Sequence, residues 1–421
     1  MENALPVCQL KRLRDCCAYL HKIHLGNAGT DSKAHNPTYL WIDTLCVPVH
    51  PSAKPYRKRA IQLLGKTFHE ASTVLVLDRE LEYVESTTSS FLELGIRILC
   101  SGWMKRLWTL QEAMLGSEAY GTDKIYFQMR DGPFQYQRFD RSRRLGRGLN
   151  KMTTEVQAEE RSLLMEDWIM VQLGEAIPSI NRLRKVRPGW PPLFILHPAL
   201  KRRLTSKIED FPLCVASLLE KDIAPILSVT TLQEKMAQLY LVMRDIPIGV
   251  LWAESAEKIS MPPFRWAPLS LTDCSRSNYF KWPLGVCEET GFRFQHQGMI
   301  LRLEDIDVER DMSSDEPTAQ FPNLFAVLVY EDEQEYSCMY LRSHTKTISI
   351  PRHAALIVPR RQQLLFEVLL LAIESTDTDI EGETESVCTI LGYFVLLERV
   401  VETSVTLRAD LTSSTHRWCI T

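Results

Sequence analysis

Thr73-Val-Leu-Val-Leu-Asp78 is an unbroken apolar run closed by an acid. A short run of this kind reads as a strand covered on both faces, and such strands belong to parallel sheets. The sequence on either side supplies the covers. Upstream, Ala60, Leu63, Leu64, Phe68 and Ala71 recur at helical spacing over residues 56–71, and Lys58, Arg59 and Lys66 fall on other sides. Downstream, residues 90–100 continue in helical period. A further helix follows, with Trp103, Leu107, Leu110 and Met114 on one stripe. Tyr39-Leu-Trp-Ile-Asp43 reads as a second buried strand and Lys124-Ile-Tyr-Phe-Gln128 as a third. Residues 8–24 read as a helix with Leu10, Leu13, Cys17 and Leu20 on one face. Strands alternating with helices predict an α/β domain, a parallel sheet flanked by helices. Ligands of such sheets bind at the carboxyl ends of strands. Asp43 and Asp78 stand at two such ends, where each is equally suited to cap the next helix or turn.

The 421 residues suffice for two or three domains. A content of 45% hydrophobic and 24% charged residues is that of a soluble globular chain. The net charge of −4 speaks against a general nucleic-acid binder. No apolar run is long enough for a membrane span, and the N-terminus lacks the basic and apolar regions of a secretion signal. The eleven cysteines are scattered without a Cys-x-x-Cys pair, which points to a reducing, cytoplasmic setting and away from a thiolate zinc site. Cys46, Cys100 and Cys214 lie in apolar strings and read as small core residues.

Beyond residue 135 the texture changes. Residues 136–190 form a helical linker region that includes the basic stretch Arg138–Arg147, a solvated linker or a phosphate contact. Residues 191–260 are helical. From 261 to 421, short apolar runs such as Leu324-Phe-Ala-Val-Leu-Val-Tyr330 and Gly392-Tyr-Phe-Val-Leu-Leu397 alternate with acidic loops at 304–316 and 376–385, the pattern of a β-rich module. The acidic loops lack calcium-loop spacing.

Common catalytic signatures are missing: no dinucleotide turn, phosphate loop, nucleophile elbow or His-Glu-x-x-His occurs. Cys17, His21 and His24 share a helix face, which is a surface stripe or a metal site. Cys46 follows the strand ending at Asp43 and is a core thiol or a nucleophile. Glu112 sits off the tryptophan stripe. It is either one half of an ion pair with Lys105 or Arg106, or a catalytic or signalling carboxylate.

Three blocks, in order, resemble the fungal HET (heterokaryon incompatibility) domain. They are Tyr39-Leu-Trp-Ile-Asp-Thr-Leu-Cys-Val-Pro48, then Arg59-Ala-Ile-Gln62 with Glu70-Ala-Ser-Thr-Val-Leu-Val-Leu-Asp78, and Trp103-Met-Lys-Arg-Leu-Trp-Thr-Leu-Gln-Glu112. The resemblance covers roughly residues 1–130 and marks Trp41, Asp43, Cys46, Arg59, Asp78, Trp103, Arg106, Trp108, Gln111 and Glu112 as motif residues. Downstream stretches of a subset of these proteins are also similar to Thr205-Ser206, Glu209-Asp210, Cys214-Val-Ala-Ser-Leu-Leu219, Arg265-Trp-Ala-Pro-Leu-Ser270 and Arg417-Trp-Cys-Ile420. HET domains usually open with one more strand and a glycine-rich loop. Met1-Glu-Asn-Ala-Leu-Pro6 looks like the segment just after that loop, so the first strand reads as missing, by truncation or by a misplaced start codon.

The HET domain is in turn similar to TIR (Toll/interleukin-1 receptor) domains, some of which cleave NAD with a glutamate that follows a helical tryptophan. The resemblance implies a protein of fungal non-self recognition and cell-death signalling that works by self-assembly or contact with a partner protein. Its enzymatic variant is an NAD glycohydrolase, with NAD as substrate and Glu112 stabilising positive charge on the ribose. The third reading is an inactive, truncated paralogue. Catalysis requires Glu112 in an open pocket, and assembly does not. Either way, the reading places Asp43, Glu112 and one of Arg59 or Arg106 close together.

Overall fold

The structure is a computed structural model, and it describes residues 4–27, 39–115, 124–138, 168–169, 171–177, 192–253, 256–272, 283–302, 318–331, 334–351, 353–357, 367–378, 384–397, 406–412 and 416–421. The chain is mixed α/β with a β-rich C-terminal region. It forms two compact units, residues 1–185 with 198–230, and residues 186–197 with 231–421. Residues 198–230 therefore belong with the first unit and are not part of a separate 191–260 region. Most of the expected 136–190 linker, including 139–167, lies outside the described residues, as does the acidic loop 304–316.

The first unit contains α1 (Val7–Asn27), α2 (Asp43–Cys46), α3 (Lys54–Glu70), β1 (Val74–Val76), α4 (Phe91–Cys100), α5 (Gly102–Lys105), α6 (Trp108–Leu115), β2 (Ile125–Met129) and β3 (Gly132–Gln135). Two more helices follow, α7 (Phe211–Leu218) and α8 (Ala224–Ser228). Strand β1 pairs parallel with β2, Val76 opposite Phe127, and β2 turns back antiparallel into β3. Parallel pairing is confined to β1–β2, so the sheet is small and mixed.

Helix α4 follows the rules of helix ends. The Ser90 hydroxyl accepts the Glu93 N–H at 3.1 Å, Glu93 lies in the first turn, and Arg97 in the last turn pairs back to it at 2.8 Å. Its Leu94 and Ile98 join Val76, Trp103, Met104 and Phe127 in one core.

Two expected elements differ. Tyr39–Ile42 is extended coil, followed directly by α2. No strand among the described residues pairs with this run, and Trp41 instead meets the Phe68 ring edge-on at 5.4 Å on α3. The expected helix Trp103–Met114 is broken. Arg106 is extended (φ −82°, ψ 137°), because residue 204 bridges in: Leu107 N–H donates to Leu204 O at 2.9 Å and Leu204 N–H donates to Lys105 O at 2.6 Å.

The second unit holds α9 (Leu232–Met243) and β4 (Asp245–Pro247), followed by β5 (Leu284–Glu288), β6 (Gly291–Gln295), β7 (Met299–Arg302), β8 (Thr318–Glu331) and β9 (Gln334–Pro351). The remaining strands are β10 (Ala354–Ile357), β11 (Glu367–Thr378), β12 (Thr384–Leu397), β13 (Thr406–Leu411) and β14 (Arg417–Ile420). The sheet order is β11-β10-β7-β13-β8-β9-β12-β14-β6-β5-β4, and β11 also pairs with β12. That extra pairing closes seven strands into a ring. Along β12, one edge pairs with β11 while the other pairs first with β14 and then with β9.

The ring is filled by side chains of alternating positions, including Leu301, Val327, Val329, Leu356, Leu370 and Leu407. The extension beyond β12 is anchored by aromatics. The Trp266 and Phe292 rings stack at 4.5 Å, and Tyr240 OH donates to Pro268 O at 2.7 Å. Gly291, at φ +140°, turns β5 into β6, and a Cβ there would lie 2.7 Å from Ile420 O, so only glycine fits.

Candidate functional site

The Trp103–Glu112 block is built from both ends of the first unit. Asp78, just past β1, accepts the Glu80 N–H at 3.1 Å and the Trp103 N–H at 2.9 Å. The expected local cap therefore also reaches across to start α5. Ser101 assists, accepting the Met104 N–H at 3.2 Å. The Trp103 indole is then held edge-on to Phe127 at 5.5 Å, and its Nε1–H donates to Glu112 Oε2 at 3.0 Å. Trp108 Nε1–H donates to Asp210 Oδ2 at 3.0 Å, and Gln111 Nε2 donates to Ser217 Oγ.

One residue at the centre carried no local sequence signal. Arg203 is 4% exposed. Its guanidinium lies 5.5 Å from the Trp103 ring centroid and donates to Thr109 Oγ1 at 2.6 Å, Arg106 O at 3.1 Å and Ala176 O at 3.2 Å. The bond to Arg106 O satisfies a carbonyl freed where the helix breaks. Burial pulls its pKa down to about 10, against the opposing pull of Cys214 and Glu112.

Glu112 is partly exposed. Burial of its carboxyl raises the pKa above the ordinary value, and the Asp43 carboxylate adds to the rise. The Trp103 N–H and the charges of Arg106 and Arg203 act in the opposite sense. Asp43 and Arg106 thus each lie within electrostatic reach of Glu112, while Arg59 is exposed on α3 and does not contribute. Asp43 is exposed and its carboxylate accepts the Thr44 N–H at 2.7 Å at the start of α2.

The cysteines divide differently from expectation. Cys214 is buried, its thiol pushed up to about 12 by burial, but Cys46 and Cys100 are exposed. Both stand at the last position of a short helix. His21 is exposed, the His24 side chain lies outside the described residues, and no cluster among the described residues could hold a metal ion. A groove of about 600 Å³ between α1 and the β2–β3 turn, lined by Arg12, Asp15, Tyr19, Arg130 and Asp131 among others, contains none of the motif residues.

The chain matches no family model, no curated protein and no solved structure.

Proposed function

We propose that this chain is a HET-type signalling protein of fungal non-self recognition and programmed cell death, acting through self-assembly or a partner protein. The observation that carries the reading is where the motif polar groups go. The indole N–H groups of Trp103 and Trp108, the Thr109 hydroxyl and the Gln111 amide N–H each donate inside the unit, to Glu112, Asp210, Trp103 O and Ser217. A block used this way holds a shape. It also explains why the resembling blocks at 103–112 and 205–219 occur together in one chain, since they bond to each other.

A second reading rests on Glu112 itself. A partly exposed carboxylate with a raised pKa, beside Asp43 and Arg106, suits the NAD-cleaving role. The test is NAD consumption by the purified chain and by Glu112→Gln, with molar mass from light scattering and death of a fungal host expressing each protein. Assembly predicts intact NAD, with host death unchanged by the substitution. NAD loss abolished by Glu112→Gln replaces it with the enzymatic reading.

A further inference from the structure

Helix α3 breaks the rule that α4 obeys. Its first turn holds no acid, its N-cap makes no side-chain bond, and Lys54, Arg57, Lys58 and Arg59 crowd its N-terminal half. Cations there oppose the helix dipole. Over the whole helix five cations face one carboxylate, Glu70, which pairs only with Lys66, at 3.7 Å. Lys58 rests its ammonium on Leu227 O at 3.2 Å. Among the described residues no carboxylate pairs with Lys54, Arg57, Lys58 or Arg59. None of the seventeen residues of α3 is fully buried: one face, with Leu64, Gly65 and Phe68, is half-buried against the unit, and the opposite face is exposed.

The exposed face of α3 is not purely polar. At helical spacing Tyr56, Arg59, Leu63 and Lys66 form one strip. Tyr56 is 73% exposed and Leu63 36%. The segment laid against α3 through Trp41 adds Tyr39, at 89%, and Leu40. A local cost kept without any gain inside the fold marks a place where function sets the sequence.

We infer that α3 is a membrane-surface element, which lays its Tyr56–Lys66 strip on an anionic lipid bilayer without crossing it. Cations beside exposed tyrosine and leucine match headgroup phosphates and the acyl boundary together, whereas a free phosphate would have no use for the apolar groups. The net charge of −4 disfavours nucleic acid as the polyanion. No helix among the described residues is long and apolar enough to span a bilayer, and surface binding needs none. The inference stands apart from the signalling reading, which holds or fails without it.

The test is co-sedimentation of the full chain with vesicles of phosphatidylcholine alone or mixed with phosphatidylserine, at low and high salt. The chain pellets with the mixed vesicles at low salt and not with the neutral ones. Arg59→Gln with Lys66→Gln weakens binding about thirty-fold, from roughly a fivefold factor per charge. Tyr56→Ala with Leu63→Ala weakens it at every salt. Lys221→Gln, an exposed cation elsewhere, changes nothing. Circular dichroism confirms that each variant is folded. Equal recovery with both vesicle types, or binding that survives the Arg59/Lys66 pair, overturns the inference, and the latter result would move the contact to another surface.

Discussion

The Trp103–Glu112 block and helix α3 start from similar material, aromatic and aliphatic residues mixed with cations at helical spacing, and end in opposite environments. In the block, Trp103, Leu107 and Leu110 are buried and the polar groups find partners from residues 203–217. In α3 nothing is buried and the cations find almost none. What separates them is a second segment. A chain stretch distant in sequence supplies Arg203, Leu204, Asp210 and Ser217 to the block, whereas it gives α3 one carbonyl, for Lys58, and the approach of Ser217 to Gly65. Amphipathic pattern selects a helix, but the partner segment decides whether it becomes core or surface.

The sharpest way to break this contrast is Arg203→Met. It removes the guanidinium from Ala176 O and from the Thr109 hydroxyl, leaves Arg106 O with only the Thr109 hydroxyl as donor, and should cost about 3 kcal/mol in urea unfolding. A midpoint equal to wild type would mean that the block holds itself. Trp103→Phe keeps the ring and removes one N–H, for an expected loss of about 1–2 kcal/mol. The same change should raise the Glu112 pKa further in a carboxyl carbon NMR titration, because a bond to the charged form is gone.

Glu112 also sets a pH signature. Its folded pKa lies above the ordinary 4.5, so the native state holds this proton more tightly than the unfolded chain. Its contribution to stability is full below 4.5 and is lost as pH rises through the folded value. Wild type should therefore lose thermal stability relative to Glu112→Gln over that rise, and parallel melting curves for the two would remove the burial argument. At the small end, Leu63→Ala on α3 should shift stability by no more than about 0.5 kcal/mol. A loss of several times that would show α3 to be packed like the block.

Much of the first unit was legible from the sequence because its signals are local. The apolar run 73–77 became β1, 124–128 became β2, and the periods at 8–24, 56–71 and 90–100 became α1, α3 and α4. The failures were all non-local. Tyr39–Ile42 has a strand's composition but pairs with no strand among the described residues. The helix through Leu107 has the right period but yields to the bridge from Leu204. Arg203 follows Arg202 in a short basic run, and nothing there tells which guanidinium is buried. In the second unit residues 299–302, 324–330, 355–357 and 392–397 all fall in strands. Their register, and the β11–β12 pairing that closes the ring, depend on partners far along the chain. Of the candidate site, the approach of Asp43 and Arg106 to Glu112 followed from the motif order, and the Trp103 N–H on the carboxylate did not.

Strand β13 carries one last consequence. It is a stave of the ring, parallel to β8 and antiparallel to β7, and it is the final ring strand in chain order. During synthesis the barrel cannot close until residues 406–411 have left the ribosome. Until then the facing edges of β7 and β8 stay unpaired, with the apolar interior of Leu301, Val327 and Val329 between them. Biosynthesis of this unit thus passes through an open, adhesive intermediate whose lifetime is set by the time needed to translate the segment from β8 to β13.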